Sequence, residues 1–226
     1  MRQTIFLAIF SLFISGCRKP ETKIDKAEFK DKIQQQFYVD DVDVVEFVTL
    51  NYCIDKNGKT KQVTVVPEKT SYKNSENIKA IVKYRKNIIQ LPDSKLRNNC
   101  YDYTFNFVNK KYQNIHLDVN KYSNCERFKQ GIFKYKSLVY PNTTIERTKD
   151  FQIERDDKWF AKYKIEWETP TKYILTYLEV SDEQSKYLLG EKIYVEIIDI
   201  LENGDYVYKS NLLNRTFNFG VISKKE

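Results

Sequence analysis

Apolar positions along this chain fall into three textures. An uninterrupted run comes first, then a region mixing strand-like and helix-like spacing, then a long tract that alternates with period two. The uninterrupted run is Thr4 to Ile14, eleven residues that follow Arg2. Eleven residues of helix rise roughly 16 Å, about half of a ~30 Å hydrocarbon core, so the run is too short to span a bilayer. It reads as the hydrophobic region of a cleaved export signal.

The second texture opens with Ile24, Ala27, Phe29, Ile33 and Phe37, spaced to give one apolar stripe. This predicts a helix over Lys23 to Val39, ended by Asp40-Asp41. A β-rich run from Val44 to Ile54 follows, and Asp55-Lys56-Asn57-Gly58 signals a hairpin turn into a return strand from Lys61 to Pro67. Ser75 is placed to cap a helix over 75–89, with Ile78, Ile81, Val82, Arg85 and Ile89 along one side and Leu91-Pro92 as its stop. Tyr101 to Val108 then alternates aromatic with polar residues as a third strand.

Polar residues 111–124 read as a linker, and the third texture fills 125–226. It predicts eight short strands: Gly131–Leu138, Thr143–Arg147, Phe151–Glu154, Phe160–Glu168, Lys172–Val180, Lys192–Ile200, Tyr206–Ser210 and Thr216–Ile222. Tyr163, Ile165 and Trp167, then Tyr173, Leu175 and Tyr177, then Ile193, Val195 and Ile197 each mark an apolar face opposed to Lys, Glu and Thr. Consecutive strands with short turns read as an antiparallel meander or barrel-like domain. The interior of such a barrel is more often filled by its own side chains than left open for a ligand.

Composition adds two constraints. Aromatic residues make up 15%, with 17 Tyr and 14 Phe against 6 Gly and 5 Pro, which favours sheet. The net charge of +7 comes from 38 basic and 31 acidic residues that are intermixed, with no like-charge run to serve as a nucleic-acid footprint. The expectation is a solvated surface and no nucleic-acid partner.

Ile14-Ser15-Gly16-Cys17 resembles the lipobox of bacterial lipoproteins. The resemblance implies a signal peptide over 1–16, cleavage between Gly16 and Cys17, acylation of Cys17 (palmitate and diacylglycerol) and a polar tether over 17–23. The protein would then sit on a membrane of the cell envelope, more in keeping with the outer one because Arg18 follows the cysteine. Residues 44–108 resemble the C-terminal domain of the TonB family, through Ile54-Asp55-Lys56-Asn57-Gly58, Val63-Thr64-Val65-Val66, the helix, Leu91-Pro92 and Tyr103-Thr104-Phe105-Asn106-Phe107. That resemblance implies a small α+β domain over 24–110 that docks an envelope protein by strand addition. It also sets the first and third strands side by side. Cys53 and Cys100 then face one another as a possible disulfide, the alternative being two reduced core thiols.

Residues suited to catalysis are sparse. The single histidine, His116, falls in the linker, and no Cys-x-x-Cys or His-x-x-x-His spacing marks a metal site. Glu154 with Asp156 and Asp157, Glu166 with Glu168, and Asp199 with Glu202 read as solvated strand faces and turns. No catalytic residue, metal or cofactor is expected. The chain reads as a non-catalytic docking or binding module, or alternatively as a lipocalin-like carrier of a small molecule or glycan. If the β domain binds a ligand, Trp159, Tyr173 and Tyr177 are the candidate contacts.

Overall fold

The structure, a computed structural model, describes residues 36–90, 96–212 and 216–225. The signal peptide, Cys17, the tether and Leu91-Pro92 lie outside the described residues. So does most of the expected first helix, but its last four residues, Gln36–Val39, form a strand, β1. Pairing overrides the helical spacing there. β1 runs parallel to a later strand, and Phe37 packs on Phe105 and Phe107 with ring centroids 6.1 and 5.3 Å apart.

The remaining elements of this region are β2 (Val45–Ile54), β3 (Thr60–Val65), α1 (Ser75–Lys86) and β4 (Asn99–Asn109), in a sheet of order β1-β4-β2-β3. The β2–β3 turn forms because Asp55 Oδ1 accepts from the amides of Asn57 and Lys59 at 2.8 and 2.9 Å. Gly58 takes φ +78, and a Cβ there would sit 2.4 Å from the carbonyl oxygen of Gln90. Asn74, rather than Ser75, caps α1: its side chain accepts from the amides of Glu76 and Asn77. The helix ends at Lys86, three residues before the expected Ile89. Ile81 and Arg85 of α1 are buried, with the Arg85 guanidinium 3.6 Å above the Tyr52 ring. Antiparallel pairing of β2 and β4 puts Cys53 opposite Cys100, and the two are joined by a disulfide.

Eight strands follow: β5 (Gly131–Tyr135), β6 (Thr144–Arg147), β7 (Phe151–Arg155), β8 (Phe160–Trp167), β9 (Lys172–Val180), β10 (Lys192–Ile200), β11 (Tyr206–Leu212) and β12 (Thr216–Lys224). Each pairs antiparallel with the next, and β12 returns to β5, with Ile222 opposite Tyr135, to close a barrel. Closure leaves no free edge among these strands. Inward positions form one core that includes Phe133, Ile145, Tyr163, Ile165, Leu175, Val195, Ile197 and Tyr206. Outward positions on β8 are Phe160, Lys162, Lys164 and Glu166, opposite the buried Ala161, Tyr163 and Ile165. A bulge between Ile197 and Asp199 turns Ile198 outward, where it packs with Val108, Tyr112, Val207, Phe219 and Val221. This cluster binds sheet and linker to the barrel wall, supported by a hydrogen bond from the Tyr112 hydroxyl to Asp199 at 3.0 Å.

Candidate functional site: the barrel interior

The interior has two levels. One end is closed by a 3-10 helix, Val119–Phe128, whose Cys125 and Phe128 are fully buried. Much of this plug falls in the stretch read from the sequence as linker. Phe128 packs on Tyr206 with centroids 4.5 Å apart, while Arg147 reaches the plug from β6. The Arg147 guanidinium donates to the Phe128 carbonyl at 2.9 Å, to the Tyr173 hydroxyl at 2.8 Å and to Gln152 Oε1 at 2.5 Å. Burial disfavours its charge, but the oxygens of Tyr173 and Tyr206 more than offset this and raise its pKa above the ordinary value. Lys224, on the last strand, adds a bond to the Arg127 carbonyl at 3.1 Å.

Above this filled level lies a cavity of about 420 Å³. Its wall inside the barrel includes Tyr135, Gln152, Glu154, Tyr163, Tyr177, Tyr208 and Ser210. The volume falls within the ~300–1,000 Å³ typical of small-molecule sites. The lining continues beyond the barrel to Phe47, Asp102, Tyr103, Thr104 and Asn106 of the four-stranded sheet. Trp159 stands at the rim: Asp156 Oδ1 accepts from the amides of Lys158 and Trp159, fixing the β7–β8 turn that presents the indole. Tyr140, also lining the cavity, is 52% exposed and marks the open side.

β7 supplies the unexpected chemistry. Its sequence Phe-Gln-Ile-Glu-Arg turns Gln152 and Glu154 inward, with exposures of 2% and 7%, and Phe151 and Ile153 outward. Glu154 is therefore not the solvated strand residue expected from sequence. The reason is register: Glu154 pairs with Ala161 of β8 and Ile145 of β6, both of which are inward residues. Its Oε1 accepts from the Tyr135 hydroxyl at 2.9 Å and from Gln152 Nε2 at 2.6 Å. Burial raises its pKa, an effect only partly countered by those two bonds and by the charge of Arg147. The same environment raises Tyr163 and lifts Tyr177 to about 12, through burial first and the Glu154 charge second or third.

The three aromatic candidates come together here. Trp159, Tyr173 and Tyr177 all line the cavity, Tyr173 at its floor and Trp159 at its rim. Trp167, by contrast, packs into the filled level against Tyr173, with centroids 4.5 Å apart. His116 is exposed on the linker and contacts Glu196 at 2.6 Å, remote from the cavity lining. Alternation carries no signal for the inward Arg147, Gln152 and Glu154, because polar residues on an inward face break the pattern that marks that face. No family model, curated protein or solved structure matches the chain.

Proposed function

We propose that the protein is a non-enzymatic carrier that holds a small molecule inside its C-terminal barrel. The supporting observation is the cavity of about 420 Å³, floored by the Arg147-tied plug and walled by tyrosines. A barrel of this size is readily filled by its own side chains, and here only the lower level is. The chemistry of the wall suits a compact ligand with both an apolar surface and polar groups.

The envelope address belongs to the same reading. Lipid on Cys17 would tether the carrier, and a disulfide between Cys53 and Cys100 is what an oxidising, extracytoplasmic compartment permits. The sheet-and-helix region would serve as the TonB C-terminal-like docking module for an envelope partner. This second reading is favoured by β3, which in the sheet pairs only with β2; residues 88–90 cover its start through the Lys59–Ile89 bridge, and its outer edge beyond Thr60 has no strand partner among the described residues.

Native mass spectrometry of the full-length protein, isolated from its own envelope in mild detergent, tests the carrier reading. The expected result is a small molecule at up to one per chain, lost in the cavity-filling variant Ser210→Phe. An interior that carries no molecule, with the same mass before and after denaturation, would overturn it. Palmitate incorporation that disappears in Cys17→Ser tests the anchor separately.

A further inference from the structure

We infer that the barrel cavity selects a small organic ammonium, held by the Glu154 carboxylate within a surround of tyrosine rings; this rests on the carrier reading above. Three observations carry it. The first is charge: among the described residues, no Lys, Arg or His lines the cavity, although the chain has 38 Lys and Arg. The charged groups on the wall are Asp102 and Glu154.

The second is that only one of these two acids awaits a partner. Asp102 is satisfied by Lys69 at 2.7 Å and by Asn51 at 2.8 Å. Glu154 is more than nine-tenths buried, both of its hydrogen bonds end on Oε1, and no described donor reaches Oε2. The nearby cation, Arg147, does not line the cavity and spends its donors on Phe128, Tyr173 and Gln152. Oε2 is therefore open on the cavity side to a donor that a ligand carries, and a ligand that desolvates it without one would incur a cost.

The third is the ring arrangement. Tyr163 and Tyr177 lie 4.7 Å apart at an interplanar angle of 56°, and Tyr135 meets Tyr208 at 6.3 Å and 52°. Tilted faces around one carboxylate provide the negative ring surfaces that attract a desolvated cation. An ammonium group thus finds a counter-ion and a π surround in one place. A carboxylate ligand would meet Glu154 with no cation on the cavity wall to receive it. Burial also disfavours the ionised Glu154 of the empty cavity, and a bound positive charge restores it.

Three shape-matched probes decide the point: 2-phenylethylamine, 2-phenylethanol and 3-phenylpropionate, titrated calorimetrically into the full-length protein at neutral pH after removal of any resident ligand. The amine should bind about tenfold or more tightly than the alcohol, and the acid more weakly than both. Glu154→Gln should remove the preference for the amine and leave the alcohol unaffected. Equal or tighter binding of the alcohol or the acid by the unaltered protein overturns the ammonium assignment while leaving the carrier reading intact. Failure of all three probes to bind overturns both. The comparison within the unaltered protein holds whether or not Glu154→Gln folds.

Discussion

Arg147 Nη1 donates to the carbonyl oxygen of Phe128 at 2.9 Å, so a charged residue of the barrel wall clamps the helix that closes the barrel. The contact is also a partition. Arg147 also lies over the ring of Phe133 at 5.0 Å in the filled level, and over that of Tyr173 at 4.8 Å, whose side chain forms the cavity floor. The cavity opens at the next inward position in the steps from Phe133 to Tyr135 and from Tyr206 to Tyr208.

Arg147→Met should therefore destabilise the protein severely. It would strip the donor from the Phe128 carbonyl, the Tyr173 hydroxyl and Gln152, and leave Glu154 without its nearest positive charge. Removing one member of such a buried network costs about 3–5 kcal/mol. Urea unfolding measures it, with Lys224→Met as the control: Lys224 also reaches the plug, but from an exposed position, and its loss should be far smaller. Equal effects from the two substitutions would show that the buried clamp contributes nothing beyond a surface contact.

Strand positions in the barrel were legible because most inward faces are apolar and the register rarely slips. β9 and β10 fall on Lys172–Val180 and Lys192–Ile200, the bounds expected from alternation. β7 was legible as a strand but not in its orientation, since Phe151 and Ile153 advertise the wrong face. β1 was misread because Phe37 fits a helical stripe as well as it fits a pairing with Phe107. The cavity itself had no signature: whether Tyr163, Tyr177 and Glu154 enclose space depends on barrel closure, a property of all eight strands together.

The disulfide gives a prediction that needs no ligand. Cys53 and Cys100 are 47 positions apart, and closing a loop of that length stabilises by about 4 kcal/mol in the chain-entropy account. The double variant Cys53→Ser/Cys100→Ser should lose most of that in denaturant unfolding under non-reducing conditions. Cys125, free and buried, should react with thiol reagents only once the barrel unfolds. A double variant as stable as the parent would leave the bridge without a role in holding β2 to β4.

Glu154 makes stability depend on pH in a direction opposite to the acids whose pKa is lowered, such as Asp102. Its folded pKa lies above the ordinary 4.5, so the folded state holds this proton more tightly than the unfolded chain does. That contribution to stability is fully present below about 4.5 and is lost as pH rises through the folded value. Asp102, lowered by Asn51 and Lys69, acts in the reverse sense at lower pH. Subtracting the profile of Glu154→Gln from that of the parent isolates the one group. The variant should gain on the parent as pH rises above 4.5 and level off beyond the folded pKa; a flat difference would mean that Glu154 is not held in a desolvated site.

Gly220 lines the cavity beneath the side chain of Tyr208. A Cβ built there would stand 2.7 Å from the ring and hydroxyl of Tyr208, its cross-strand partner, so the tyrosine lies directly over the glycine. Any side chain must push Tyr208 further into the cavity, at a cost of about 1–3 kcal/mol for overpacking. Gly220→Ala should thus lower stability and weaken the amine probe together. The cause is separable by a double-mutant cycle: in a Tyr208→Ala background nothing remains for the new methyl to strike, and the penalty of Gly220→Ala should vanish. Additive losses across the cycle would place the strain in the backbone of β12 rather than in the contact between these two residues.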